Sequence, residues 1–79
     1  MMLVRYFAAA RAQAGVDSEE WQEPDLGSLV EAIGRRHGER MAAILDSSSL
    51  LVDGTVASDR SRSLDGVDSV DVLPPFAGG

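Results

Sequence analysis

Apolar and polar residues alternate from the start of the chain. Over residues 3–8 the alternation predicts a strand. Met2, Val4, Tyr6 and Ala8 fall on one face, and Leu3, Arg5 and Phe7 on the other. The charge on Arg5 marks the second face as the wet one. The period then changes. Residues 8–14 are alanine-rich around Arg11, enough for one or two helical turns, and Gly15 supplies a left-handed stop. Residues 17–23 are acidic around Trp21 and predict an exposed second strand.

Pro24-Asp25 opens a longer helix, with Asp25 as N-cap and Ser28 with Glu31 as an alternative capping box. Leu26, Leu29, Val30 and Ile33 recur at the 3–4 spacing of one buried stripe. Arg35 and Arg36 suit the negative end of the helix dipole, and Gly38 ends the helix. Gly34 costs the helix about 1 kcal/mol relative to alanine, which a close approach to the sheet would justify. Residues 41–45 add a short turn, and 46–49 read as a loop. Asp53-Gly54 between Leu50-Leu51-Val52 and Thr55-Val56-Ala57 is a strong two-residue hairpin signal. A polar connector over 58–63 and a turn over 64–66 lead to a last strand over 67–73, with Val70 and Val72 facing in. Pro74-Pro75 ends that strand, because proline cannot donate to the ladder. The order predicts an α+β domain, one main helix on a mixed sheet.

Composition narrows the chemistry. A chain of 79 residues is one small domain, and at this size it buries roughly 60–65% of its unfolded surface. That leaves little room for a private multi-substrate active site. There are 13 acidic residues against 7 basic ones, for a net charge of −6, so a nucleic-acid footprint is missing. Cysteine is absent, which excludes disulfides, a thiolate nucleophile and the usual structural zinc sites. Every basic residue is arginine, so there is no Schiff-base lysine and no side-chain amine for conjugation. No signal peptide and no apolar run of about 20 residues is visible, so the expected location is cytoplasmic, with no membrane partner.

Most polar candidates have plain readings. His37, alone near a helix end among arginines, reads as solvated or capping rather than as a catalytic base. One histidine without cysteine predicts no metal site. Ser47-Ser48-Ser49 reads as a loop. The run Glu19, Glu20, Glu23 and Asp25 reads as a solvated face, with attraction to a basic partner as the alternative. Trp21 reads as a packing residue.

Phe7 and Leu73 are more informative. By parity both lie on the wet face, and if the first and last strands are neighbours they form an apolar patch leading to Phe76. Cover by a loop and docking of a partner are both compatible with this patterning. The chain end favours docking. Pro74-Pro75, an aromatic and Gly78-Gly79 make a stiff root with a tip free of side chains. Six residues from Pro74 extend about 20 Å. Such an arm can thread a channel that any Cβ would obstruct, and the terminal carboxylate is its special group.

The opening Val4-Arg5-Tyr6-Phe7-Ala8-Ala9-Ala10-Arg11 and the ending Val70-Asp71-Val72-Leu73-Pro74-Pro75-Phe76-Ala77-Gly78-Gly79 resemble the MoaD/ThiS family of ubiquitin-like sulfur carriers. Within it they are most similar to the molybdopterin-synthase small-subunit branch. The element order between them matches along essentially the whole chain. Asp65-Gly66-Val67-Asp68 departs from the family, which often has glycine followed directly by aspartate.

The resemblance implies a β-grasp domain over 1–73 and a flexible reactive tail over 74–79. It implies that an E1-like adenylyltransferase uses ATP to adenylate the Gly79 carboxylate. A sulfur donor protein then converts it to a thiocarboxylate. The loaded tail enters the large subunit of molybdopterin synthase and sulfurates cyclic pyranopterin monophosphate. On this reading the chain is a sulfur-donating subunit, not a catalyst on its own, and binds no cofactor itself. Gly79 and Gly78 form the reactive tip, and Phe7, Arg11, Leu73, Pro75, Phe76 and Ala77 bind partners. Sulfur carriage for thiamine or cysteine synthesis, and ubiquitin-like protein modification, are the alternatives.

Overall fold

The computed structural model describes residues 1–75. The elements run β1 (Met2–Tyr6), α1 (Ala8–Ala14), β2 (Ser18–Trp21), α2 (Leu26–His37), α3 (Glu39–Ser47), β3 (Ser49–Val52), β4 (Thr55–Val56) and β5 (Ser69–Leu73). The strands form one sheet in the order β2-β1-β5-β3-β4. β1 and β5 pair in parallel, with Val4 beside Val70 and Tyr6 beside Val72. A parallel pair needs a long crossover, and all the intervening elements lie within it. The remaining pairings are antiparallel.

The period-2 faces and the helical stripe meet as the sequence predicts. Val4, Tyr6, Val70 and Val72 are buried, and Leu26, Leu29 and Ile33 join them in one core. Val30 lies at the edge of the stripe, only partly buried, and Ala32 is buried in its stead. Asp25 caps α2, its Oδ1 accepting from the Ser28 amide at 2.8 Å. Asp53 and Gly54 have φ of 47° and 84°, the paired left-handed values of a tight hairpin turn. Asp53 does more than turn the chain. Its Oδ1 accepts from the amides of Asp68 and Ser69, both at 3.0 Å, tying the hairpin to the start of β5.

Several local expectations change. The first strand stops at Tyr6, and Ala8 is exposed at the start of α1 with φ of 50°. The alternation carries no mark of that reversal. The second strand is shorter than 17–23 and its Trp21 is buried. The turn expected over 41–45 is a nine-residue helix, and it absorbs Asp46 and Ser47 from the expected loop. Met41 and Leu45, one turn apart, are both fully buried, which gives α3 the tertiary support that propensity alone does not. The hydroxyls of Ser47 and Ser48 donate to the Ile44 carbonyl at 3.2 and 2.6 Å and close its C-terminus. Gly34 does serve a close approach, but to α3: a Cβ there would lie 3.4 Å from the Ala42 Cβ. The last strand begins at Ser69, after the turn around Gly66. Pro74, which the sequence places in the tail, is buried, whereas Pro75 is exposed.

Candidate docking site

The parallel register of β1 and β5 carries the chain at Phe7 level with Leu73. The Phe7 amide donates to the Val72 carbonyl at 3.2 Å. The chain then turns away through left-handed Ala8, and Phe7 becomes the N-cap of α1. A non-glycine residue in that region is uncommon and carries a steric cost. The turn leaves the Phe7 side chain 41% exposed. Leu73 is half-buried, and Pro75 follows in solvent. The neighbour relation inferred from parity is therefore present. Phe76, Ala77, Gly78 and Gly79 lie outside the described residues.

Arg11 is exposed on α1 and reaches Asp17 at 3.7 Å, a solvated pair of small energetic worth. Ala8, Arg11, Ala12, Gly15, Val16 and Asp17 line an open cleft of about 360 Å³. Gly15, with φ of 76°, closes α1 and makes this turn possible.

Beyond Phe7 the open face of the sheet continues. Arg5 and Asp71, paired across the central strands, form a forked ion pair with Nε–Oδ1 at 2.6 Å and Nη2–Oδ2 at 3.1 Å. Leu51 lies beside Asp71 and opposite Val56, so both share this face. Val56 is 67% exposed. Neither Leu51 and Val56 nor the exposed Val16 stands out as functional in the sequence. The hairpin register was the available signal for the first two.

A polar cluster occupies the β2 edge of the sheet on the helix side. Tyr6 Oη donates to Glu19 Oε1 at 2.6 Å and accepts from Trp21 Nε1 at 3.1 Å. His37 Nε2 lies 2.7 Å from the same Glu19 oxygen and donates to it, since an ionised carboxylate only accepts. The His37 and Tyr6 rings meet edge to face at 5.9 Å. The Arg36 guanidinium lies 4.4 Å over the Trp21 ring and 3.6 Å from Glu19. His37, expected as a solvated or capping residue, is thus 12% exposed at its side chain and fastened to another element. Glu19 leaves the solvated acidic run for the same reason. Partial burial pushes the Glu19 carboxyl up, but the hydrogen bonds of Tyr6 and His37 and the nearby charges outweigh it and hold it below its ordinary value. Burial, reinforced by Glu19, raises the Tyr6 phenol well above its usual value. Every polar member of this cluster is accounted for by its neighbours, so its role is to fasten β2 and α2 to β1.

Among the described residues no group of three or more His, Cys, Asp or Glu side chains could hold a metal ion. None of the described helices is long and apolar enough to cross a membrane.

The profile of the ThiS family matches residues 4–79. Among solved structures, a candidate molybdopterin converting factor, subunit 1, from Pyrococcus furiosus is 29% identical with a TM-score of 0.76, and the match covers 95% of this chain and 97% of that one. SAMP1 from Haloferax volcanii superposes with a TM-score of 0.75 over 99% of this chain and 98% of its own. At 19% identity that likeness speaks to the fold alone. No curated protein sequence matches the chain. The mixed sheet with its helices on one face is the β-grasp arrangement, and the chain belongs to the ThiS family of MoaD/ThiS ubiquitin-like sulfur carriers.

Proposed function

We propose that this chain is the sulfur-carrying small subunit of a molybdopterin synthase. The observation that carries the reading is the full-length likeness to the Pyrococcus furiosus protein, whose description names a molybdopterin converting factor. The ending Pro74-Pro75-Phe76-Ala77-Gly78-Gly79 supports it. The parallel pairing of β1 with β5 brings Leu73, from which that ending continues, level with Phe7. With Pro74 held in the body, residues 75–79 reach about 17 Å when extended.

A terminal carboxyl has a pKa of about 3.3–3.7 and is an unreactive anion at neutral pH. Adenylation by an E1-like enzyme with ATP makes the Gly79 carbonyl electrophilic and gives it a leaving group. A sulfur donor protein then yields the thiocarboxylate, and the large subunit receives the tail and holds the pterin precursor. That precursor carries phosphate, and this chain is itself anionic at −6, so the basic pocket belongs to the large subunit. Gly78 and Gly79 leave the tip without side chains, while Phe7, Arg11, Leu73, Pro75, Phe76 and Ala77 contact the partners. Because the chemistry resides in the partners, the chain works in the cytoplasm as a co-substrate and binds no cofactor.

The test is intact mass after incubation with the adenylating enzyme, ATP and a sulfur donor. Replacement of one oxygen by sulfur at Gly79 is expected, followed by conversion of the pterin precursor when the large subunit is added. Deleting Gly79, or adding residues after it, abolishes loading without unfolding the domain, and Gly78→Val loads poorly. Sulfur transfer at the normal rate by the truncated form refutes the carrier role. Transfer only to a thiamine or cysteine precursor refutes the molybdopterin assignment while keeping the carrier.

A further inference from the structure

The seven arginines do not all need to be arginine. Arg5 uses its planar fork on Asp71, and Arg36 uses its flat face on Trp21. Lysine could not reproduce the fork, and would keep the charge over Trp21 but lose the flat stacking. Arg35, Arg40, Arg60 and Arg62 are different. They are exposed, and none makes a side-chain hydrogen bond or ion pair among the described residues. A solvated cation is all these positions require, and lysine supplies that equally well. Yet lysine occurs nowhere in the sequence, and neither does cysteine.

We infer that the side chains of this protein are inert toward its own activated terminus: none of them can accept a second copy. The inference rests on the proposed activation of Gly79. An activated acyl group is open to attack by any accessible amine or thiolate. A lysine nitrogen would bond to the Gly79 carbonyl carbon while the carbon–oxygen bond to the adenylate breaks. AMP would leave, and the nitrogen would shed its proton to water. The product would be an isopeptide-linked pair of carriers with the reactive end consumed. Arginine cannot do this, because its guanidinium stays protonated in proteins and its electrons are delocalised. The four solvated arginines therefore carry charge without nucleophilicity.

The remaining amine, the α-amine of Met1, is exposed and open to a second copy's activated terminus, so acetylation removes it from the comparison of side chains.

The experiment uses the full chain with its α-amine acetylated and its Gly79 carboxyl carried as a thioester of 2-mercaptoethanesulfonate, at high protein concentration and mildly alkaline pH. Coupling forms the carbon–nitrogen bond, breaks the carbon–sulfur bond and releases the thiolate, and it is read by intact mass and denaturing electrophoresis. The unsubstituted chain is expected to hydrolyse to monomer. A variant carrying Arg35→Lys, Arg40→Lys and Arg60→Lys is expected to lose monomer to covalent multimers, each link lighter by one water than the sum of the hydrolysed, free-acid monomers. Arg62→Lys alone provides a second variant, and unchanged urea unfolding shows that both are folded. Multimers from the unsubstituted chain overturn the inference, and so does the absence of multimers from both variants. Pyrophosphate release by the adenylating enzyme is measured separately on the unsubstituted chain. Its failure refutes the carrier reading, whereas normal release with uncoupled lysine variants refutes only self-inertness.

Discussion

Alternate residues of the same strands face two different environments. On β1, Val4 and Tyr6 point to the helices and are buried, while Leu3, Arg5 and the following Phe7 point to water. On β5, Val70 and Val72 are buried, while Asp71 and Leu73 lie on the open side. The inner face holds the domain together through close packing with α2 and α3. The outer face has a forked ion pair among partly exposed apolar side chains, and among the described residues Phe7 and Val56 remain exposed. Removing a side chain from the inner face should therefore change stability. Removing one from the outer face should change partner affinity and leave stability nearly alone.

The largest stability effect is expected from Ile33→Ala. Ile33 is 1% exposed, and truncating a buried isoleucine costs about 2–5 kcal/mol through lost transfer energy and the cavity left behind. Urea unfolding followed by the fluorescence of Trp21 measures it. An unchanged midpoint would remove α2 from the core and with it the contrast between the faces.

Phe7→Ala is expected to be the opposite case. Loss of an aromatic anchor commonly weakens an interface by about 2 kcal/mol or more, roughly thirtyfold in affinity. Titration against the large subunit or the adenylating enzyme should show this loss at unchanged stability. A folded variant that binds normally would show that Phe7 is merely an exposed apolar residue.

The β2 edge sharpens the comparison through pH. The folded state holds the Glu19 carboxyl below its ordinary value. Its contribution to stability is therefore fully present above the unfolded glutamate value of about 4.3, and is lost as pH falls through the lower folded value. Tyr6 runs the other way. Its raised value means a contribution that is complete below about pH 10 and fades as pH rises beyond it. Glu19→Gln should flatten the acid limb of a stability–pH curve from urea melts, with little change in partner affinity. An acid limb identical to that of the unsubstituted chain would show that the cluster does not couple to folding.

The smallest effect belongs to Arg5→Ala. The pair with Asp71 is well oriented but the arginine is about half exposed, and such pairs contribute about 0–1 kcal/mol. Stability should shift within that range in low salt and less in high salt. A loss as large as that of Ile33→Ala would mean that the outer face also carries the fold.

Much of this was legible locally. The alternation over Met2–Tyr6 and Ser69–Leu73, the stripe of Leu26, Leu29 and Ile33, the Asp25 cap and the Asp53-Gly54 turn each depend on side-chain period or on backbone sterics within a few residues. The end of β5 at Leu73 is legible for the same reason, since Pro74 and Pro75 lack a donor. The open face was half legible, since parity places Phe7 and Leu73 on the wet side but says nothing of Val56.

Other features depend on partners distant in the chain. The order β2-β1-β5-β3-β4 requires strands 60 or more residues apart to pair, as Arg5 and Asp71 show. The nine residues of α3 hold because Met41 and Leu45 find a core to enter, and Gly34 serves Ala42 of that helix rather than the sheet. His37 and Glu19 look like solvated charges in sequence, and become a fastening only when α2 lays one against the other. Local sterics operate within one turn of chain and can be read along it. Burial and hydrogen-bond pairing are properties of the space between elements, and these are settled only when the elements meet.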